Sequence, residues 1–145
     1  MTRSERIRPI KQLADDRERD AGRGVSRAQA ALAAAEKQLA DLVGYRADYV
    51  VRQHESGAVD AARLHNFQAF LGRLEEAIRQ QQAIVEEARR AADACAAEWQ
   101  DRRIESAQLG KAVVRLRAEE LRLGEKREQH ATDERAAQAA RTKPD

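Results

Sequence analysis

The sequence predicts an all-α protein, an antiparallel two-helix coiled-coil hairpin in which helix 2 is longer than helix 1. The first observation is composition: of 145 residues, 36% are charged, 42% are hydrophobic and only 3% are aromatic, and the chain holds 30 Ala but 2 Pro. Chains of this kind are typical of long helices rather than of sandwiches, barrels or α/β enzymes. The other two observations are a sustained 3.5-residue period of apolar residues and a single cluster of turn residues.

Helix 1 is predicted from about Pro9 to His54. Pro9 suits a first helical position, where its missing N–H leaves no backbone bond unmade. Gly22 and Gly24 are poor helix formers, so we expect the start of this helix to be loose. Further along, the following residues alternate in steps of three and four and form the predicted seam of helix 1: Val25, Ala28, Leu32, Ala35, Leu39, Leu42, Arg46 and Tyr49.

The turn is predicted at residues 55–60, where Ser56, Gly57 and Asp60 lie close together. Asp60 is suited to capping the helix that follows. Helix 2 is predicted from about 60 to 140 and is followed by a frayed tail at 141–145. The whole chain, residues 1–145, is therefore expected to form one coiled-coil hairpin domain.

Helix 2 carries a longer seam with the same alternation of three and four. Its members are Leu64, Phe67, Leu71, Leu74, Ile78, Gln81, Val85, Ala88, Ala92, Cys95, Trp99, Arg102, Ser106, Leu109, Val113, Leu116, Glu120 and Leu123. A period of 3.5 residues sustained over this length predicts a left-handed coiled coil. Gln81, Arg102, Ser106 and Glu120 are polar exceptions to the pattern.

The unequal helix lengths predict an uncovered stretch of the helix 2 seam. If the chain is reflected about residue 57, Pro9 lies opposite Glu105. The N-terminal start of helix 1 would then leave the apolar seam residues that follow Glu105 in helix 2 without a partner. An uncovered apolar stripe usually marks an interface. These residues are Leu109, Val113, Leu116 and Leu123.

Four of the five aromatic residues lie close to the predicted turn: Tyr45, Tyr49, Phe67 and Phe70. Two helices that pair through a narrow seam do not require Tyr45 and Phe70 in addition to the seam residues. The apolar surface near the turn is thus wider than pairing needs. Packing of the hairpin tip and binding of a partner both remain open as explanations.

The chain offers no constellation of residues for catalysis, a metal or a cofactor. His54, His65 and His130 are far apart, Cys95 falls on the seam, and the 7 glycines form no phosphate-binding loop. No apolar run approaches the roughly 18 to 20 residues that cross a bilayer, and the N-terminus lacks the apolar segment of a signal peptide. We therefore expect a cytoplasmic, non-enzymatic protein that does not insert into the membrane.

Charge gives only weak support to nucleic-acid binding. The chain has 27 basic and 25 acidic residues, and Asp and Glu interrupt most of the Arg runs. Nucleic-acid-binding domains usually show a concentrated basic face. A nucleic-acid-binding helical hairpin is kept as the less favoured alternative because Arg is abundant. The leading interpretation includes no nucleic acid among the partners.

Three segments of the sequence resemble the FliJ family, small coiled-coil proteins of the bacterial flagellar type III export apparatus. The first is EKQL at 36–39, followed by Leu42, Tyr45 and Tyr49. The second comprises NFQAFL at 66–71, LEEAI at 74–78 and the two glutamines at 80–81, and the third is EQHATDERA at 128–136. The resemblance covers nearly the whole chain, and the turn lies at the same place.

The resemblance implies a hairpin like the stalk of the rotary ATPase γ subunit and an adaptor role without catalysis. It implies binding to a hexameric FliI-like export ATPase, whose ring assembly it promotes, to an FlhA-like export gate protein, and to export chaperones. It places the protein in the cytoplasm, peripherally associated with the inner membrane at the flagellar base. The alternative is the equivalent stalk protein of a virulence-type secretion system.

The resemblance also assigns two sets of partner-binding residues. The family's gate-binding stripe matches Gln38, Leu42, Tyr45, Tyr49, Phe70, Leu74, Ala77 and Gln81. The likeness to the γ subunit favours an ATPase ring as the cover for the stripe at Leu109, Val113, Leu116 and Leu123.

Overall fold

The computed structural model describes residues 1–57 and 60–142 and contains two α-helices, α1 (Arg3–Glu55) and α2 (Ala61–Arg141). No strand occurs in these two ranges. The predicted all-α class, with a longer second helix packed against the first, is confirmed. Residues 58–59 of the predicted turn and residues 143–145 of the predicted tail lie outside the described part of the chain.

Helix α1 begins at Arg3, so the prediction of a start near Pro9 is wrong. The Thr2 hydroxyl accepts a hydrogen bond from the Glu5 N–H at 3.3 Å, and the Glu5 carboxylate accepts one from the Thr2 N–H at 2.9 Å. This reciprocal pair is a capping box, which satisfies free N–H groups of the first turn and starts the helix. Pro9 therefore lies inside α1 on its exposed side, where water can bond the carbonyl that Pro9 leaves without a donor.

The predicted signals at the ends of the turn are present. Gly57 has φ 75°, the left-handed conformation that commonly follows the last turn of a helix and that favours glycine. The Asp60 carboxylate accepts a hydrogen bond from the Arg63 N–H at 2.8 Å, and its carbonyl accepts one from the Leu64 N–H at 3.1 Å. Asp60 is thus the N-cap of α2, as predicted.

Packing divides the chain into two compact units, and each helix contributes a segment to both. The first unit comprises residues 1–19 and 101–145, and the second comprises residues 20–100. In the second unit, the Ala35 carbonyl accepts a hydrogen bond from the Gln81 side chain at 3.0 Å, and Tyr49 stacks on Phe67. Lower-numbered residues of α1 meet higher-numbered residues of α2, so the two segments run antiparallel.

The same direction holds within the first unit. The Ser106 hydroxyl donates to the Asp15 carboxylate at 2.6 Å, and Ser4 bonds Glu120. Reflection about residue 57 placed each α1 residue opposite a residue too early in α2. Because α1 continues to Glu55 and α2 begins only at Ala61, the point of reflection lies one position further along the chain, which accounts for part of this shift.

The predicted seams form the interface between the helices. Every predicted α1 seam position is buried or half-buried, and so is every predicted α2 seam position except Leu64 and Leu123. The alternation of three and four also continues towards the N-terminus of α1, beyond Val25. The added positions, all buried or half-buried, are Ser4, Ile7, Lys11, Ala14, Glu18 and Ala21.

Polar seam residues of α2 are matched by specific partners. Gln81 is only 6% exposed, and its amide is satisfied by the Ala35 carbonyl. Arg102 forms an ion pair with Glu105 at 3.2 Å on its own helix. Ser106 and Glu120 are held by α1 through the bonds described below. A buried polar group is tolerated when its hydrogen bonds are made, and these contacts explain why the exceptions do not interrupt the seam.

Candidate functional site

An aromatic cluster occupies the part of the second unit nearest the turn. Tyr49 stacks on Phe67 with ring centres 5.3 Å apart and tilts against Phe70 at 4.6 Å. Tyr45 meets Phe70 edge-on at 6.2 Å. The four rings thus form one continuous set, and such pairs are stabilising beyond the area they bury. Packing of the hairpin accounts for Tyr49, Phe67 and Phe70, which are half-buried.

Tyr45 differs from the rest of the cluster because 49% of its surface is exposed. Its ring contacts Phe70 with one edge and leaves much of its surface in solvent. Gln38 on the same helix is exposed, whereas Leu42 and Tyr49 are half-buried. The α1 half of the predicted gate-binding stripe is therefore an accessible edge formed by Gln38 and Tyr45 beside partly covered seam residues.

The α2 half of the predicted stripe is mostly covered. Phe70 and Ala77 are half-buried, but Leu74 is 8% exposed and Gln81 is fully engaged in the seam. Leu74 and Gln81 cannot present their side chains to a partner while the helices remain paired. Both residues belong to the packed seam between the helices.

Basic and acidic groups border the aromatic cluster. Arg46 forms an ion pair with Glu75 across the two helices at 2.9 Å, and each side chain is about 40% exposed. The Arg73 guanidinium lies 5.9 Å from the centre of the Phe70 ring, within the range of a cation–π contact. The accessible edge at Tyr45 is thus apolar in the middle and charged at its sides, which is the usual anatomy of a protein interface.

The predicted ATPase-binding stripe lies in the first unit and is less open than the sequence indicated. Leu109, Val113 and Leu116 are half-buried in the seam, whereas Leu123 is 53% exposed. The inference that helix 1 cannot reach this stretch is wrong, because α1 begins at Arg3 and Ser4 bonds Glu120. Of the four residues of this stripe, only Leu123, beyond that contact, is exposed.

Glu120 caps the first turn of α1 from the opposite helix. Its carboxylate accepts hydrogen bonds from the Ser4 hydroxyl at 2.6 Å and from the Ser4 N–H at 2.9 Å. These bonds, the hydroxyl first and the N–H second, lower the pKa of Glu120. A carboxylate at a helix N-terminus satisfies N–H groups that have no partner within the helix.

A second polar contact lies further along the same seam. Lys11 donates from Nζ to the Asp15 carboxylate and, at 3.0 Å, to the Ser106 hydroxyl, which itself donates to Asp15. The Lys11 bond and then the Ser106 bond lower the pKa of Asp15. Ser106 is buried, so this three-residue network fixes α1 against α2 at one register.

One exposed apolar face of α2 was missed by the sequence interpretation. Val114 is 67% exposed and Leu121 is 66% exposed, and both lie outside the predicted seam. Their spacing of one heptad, with Ala107 one heptad earlier, was the signal that could have found them. This second row is harder to recognise because the longer main seam of α2 runs beside it with the same alternation of three and four.

Metal-ligand side chains do not cluster in the described part of the chain. Within residues 1–57 and 60–142, no three His, Cys, Asp or Glu side chains converge to hold a metal ion. Cys95 is a half-buried free thiol of the seam, where it lies as the sequence predicted. The expectation that the chain has no cofactor, no metal and no catalysis stays a prediction.

Comparison with known proteins provides the family. A family model described as "Flagellar FliJ protein" matches residues 3–145. The chain belongs to the FliJ family. No curated protein and no solved structure matched the chain.

Membership makes this FliJ-family chain a coiled-coil protein related to flagellar export. The resemblance to this family that three segments of the sequence carried is confirmed. In the described part of this FliJ-family chain, neither helix is long and apolar enough to cross a membrane.

Proposed function

We propose that this protein is a non-enzymatic adaptor of the flagellar type III export apparatus, which promotes assembly of the export ATPase ring and links that ATPase to the export gate. FliJ-family membership supports the assignment of the chain to this apparatus. The observation that carries the adaptor role is the exposed edge of the aromatic cluster at Tyr45. An aromatic side chain left half in solvent, beside rings that already complete the packing, is a typical anchor for a protein partner.

The partner at this edge is an FlhA-like gate protein. Gln38 and Tyr45 contact the gate directly, with the partly exposed Phe70 and Ala77 beside them. The half-buried Leu42 and Tyr49 and the buried Leu74 and Gln81 pack beneath these residues and hold them in position. This division assigns binding energy to the accessible residues and positioning to the covered ones.

The partner of the first unit is a FliI-like ATPase hexamer. Leu123 is the exposed apolar residue of this site, and Arg122 and Lys126 border it. Leu109, Val113 and Leu116 hold this part of α2 against α1. Export chaperones are the third class of partner, and the protein acts in the cytoplasm, peripherally associated with the inner membrane at the flagellar base.

Two alternatives differ in their partners. The equivalent stalk protein of a virulence-type secretion system has the same architecture, and the neighbouring genes distinguish it. A nucleic-acid-binding hairpin is less favoured because carboxylates already engage many arginines, as in the pairs of Arg79 with Glu76 and Arg89 with Glu86. Phosphate contacts would give a steep dependence of binding on salt.

A pulldown from flagellated cells tests the proposal. The tagged chain should recover both the export ATPase and the gate protein, and Tyr45→Ala should recover the ATPase but much less of the gate. Val51→Ala, which changes another exposed residue near the turn, is the matched control and should recover both. Recovery of neither partner by the unaltered chain would refute the adaptor role.

A further inference from the structure

A second row of regularly spaced residues follows the solvent side of α2 in the first unit. Its members alternate in steps of three and four, as the main seam does, and all are exposed. We call them the Val114 face: Ile104, Ala107, Lys111, Val114, Ala118 and Leu121.

The spacing of the Val114 face indicates what kind of structure packs on it. Five of its six members are apolar, and Lys111 is the exception. A row that repeats every 3.5 residues stays aligned with a neighbouring helix in a left-handed coiled coil. The occupant that fits this face is therefore a helix lying along α2.

The charges around the face indicate which helix. Between Glu105 and Glu119 the chain has no Asp or Glu, and its charged residues there are Lys111, Arg115 and Arg117. Lys111 and Arg115 border a groove lined by small and apolar residues of α2. Among the described residues, neither of these two cations has an acidic partner at ion-pair distance, unlike Lys11 and Arg102 in the same unit.

The neighbouring segment of α1 does not supply the missing negative charge. Lys11 brings its aliphatic chain to Gly110, where a Cβ would lie 3.4 Å from the Lys11 Cε, and its ammonium is paired with Asp15. Asp15 is already bonded by Lys11 and Ser106. A second copy of this chain would bring the same cations against themselves, because an antiparallel copy centred on Val114 places Lys111 near Arg117.

We propose that the Val114 face binds an amphipathic helix of another protein whose flanking residues are acidic. The apolar row supplies burial, and the unpaired Lys111 and Arg115 supply attraction and orientation. This interface is separate from the one at Tyr45 and does not depend on the export role.

Binding of two synthetic peptides to the full chain tests the inference. Each peptide is an amphipathic helix of about three heptads with Leu at the core positions; one carries Glu at the flanking positions and its twin carries Lys there. Fluorescence anisotropy at moderate salt should show the acidic peptide binding at least about tenfold more tightly than its twin. The double variant Val114→Ser with Leu121→Ser should weaken the acidic peptide by about tenfold or more.

Two further variants identify the site and the sign of the charge. Lys111→Glu with Arg115→Glu should reverse the preference, so that the basic twin binds more tightly. Val43→Ser with Val51→Ser, which removes two exposed apolar residues of the second unit, is the matched control and should leave both affinities unchanged. All of these positions are exposed, and circular dichroism verifies that the helices remain formed.

Three outcomes would overturn the inference. The first is equal binding of the two peptides, or acidic-peptide binding that survives the Val114 and Leu121 substitutions. The second is concentration-dependent self-association in sedimentation velocity that those substitutions abolish, which would assign the face to a second copy. The third is binding to anionic phosphatidylglycerol vesicles that the same substitutions abolish, which would assign it to a lipid surface.

Discussion

Gly22 lies directly against the indole of Trp99: a Cβ built on Gly22 would be 3.3 Å from the indole Nε1. Glycine is a poor helix former, and here its cost is compensated by the room that it leaves for the largest side chain of the seam. No atom lies within 4 Å of the corresponding position on Gly24. Room for the Trp99 ring thus accounts for Gly22 but not for Gly24.

This difference predicts opposite behaviour of two alanine substitutions. Gly24→Ala should stabilise the protein by up to about 1 kcal/mol, because alanine has the higher helix propensity and meets nothing. Gly22→Ala should stabilise the protein less than Gly24→Ala does, or destabilise it, because Trp99 must shift by a few tenths of an ångström. Thermal unfolding followed by circular dichroism measures both, and an equal gain in the two variants would show that the indole moves freely.

The gate-binding proposal predicts a selective loss at Tyr45. Tyr45→Ala should weaken binding of the gate protein by about tenfold or more while the helical content stays unchanged, because an exposed aromatic anchor contributes to binding rather than to packing. Adding Phe70→Ala should deepen the loss but also lower stability, since Phe70 packs on Tyr49. Normal gate binding by Tyr45→Ala would mean that this ring serves the hairpin alone.

Gln81 provides a separate test of which stripe residues touch the gate. Its side chain is buried and bonded to the Ala35 carbonyl, so Gln81→Leu should change the unfolding free energy by less than about 1 kcal/mol and leave gate affinity within about twofold. Calorimetric unfolding and a gate-binding titration give the two values. A large loss of affinity with stability unchanged would place Gln81 in direct contact with the gate.

The ATPase proposal predicts that two leucines of one row behave differently. Leu123→Asp should reduce stimulation of the export ATPase with little effect on folding, because Leu123 is exposed. Leu116→Asp should destabilise the first unit by about 2 kcal/mol or more, because it puts a charge into the seam. Leu64→Asp changes the exposed residue at the other end of the seam and is the control, which should stimulate normally.

The cap at Glu120 predicts a dependence of stability on pH. Hydrogen bonds from the Ser4 hydroxyl and then the Ser4 N–H lower the pKa of Glu120 below its ordinary value of 4.5. Between the lowered pKa and 4.5 the unfolded chain binds more protons than the folded chain, so stability rises with pH in that window. The contribution is complete above the ordinary value and is lost as the pH falls through the lowered one.

Glu120→Gln should therefore melt at a lower temperature than the unaltered protein at neutral pH, and this difference should close in strong acid. Melting curves collected from neutral pH down to about pH 2 give the comparison. Glu119→Gln changes an exposed neighbour with no such bonds and should show little difference at any pH. A gap that persists undiminished in acid would show that the amide fails for a reason other than charge.

The seam was predictable and the beginning of α1 was not, for a physical reason. From Val25 onwards large apolar residues mark the heptads, whereas nearer the N-terminus the inward positions are mostly small or polar, such as Ser4 and Lys11. Polar residues are tolerated there because residues of α2 complete their hydrogen bonds. A partner 95 positions away, as Ser106 is from Lys11, or 116 positions away, as Glu120 is from Ser4, leaves no local pattern. Pro9 then offered a plausible but incorrect start.

The candidate sites were predictable only in part. An excess of aromatic residues near the turn pointed to Tyr45 and Phe70, of which Tyr45 is 49% exposed and Phe70 is half-buried. Leu74 and Gln81 belong both to the predicted seam and to the stripe that the resemblance assigned, and their burial places them in the seam. A residue at the border of a helical stripe belongs to the seam or to the surface depending on the angle of the partner helix. The Val114 face was hidden by the stronger row beside it.

The bond from Ser4 to Glu120 ties the length of α1 in the first unit to the length of the α2 segment that it packs against. Loss of one heptad from α1 alone would leave the Glu120 carboxylate without its donors and the new helix end without its acceptor. Removal of matched heptads from both helices within the first unit would restore the contact, because the period of the seam is unchanged. Paired insertions and deletions are thus the changes in length that the first unit can absorb, and single ones are those that it resists.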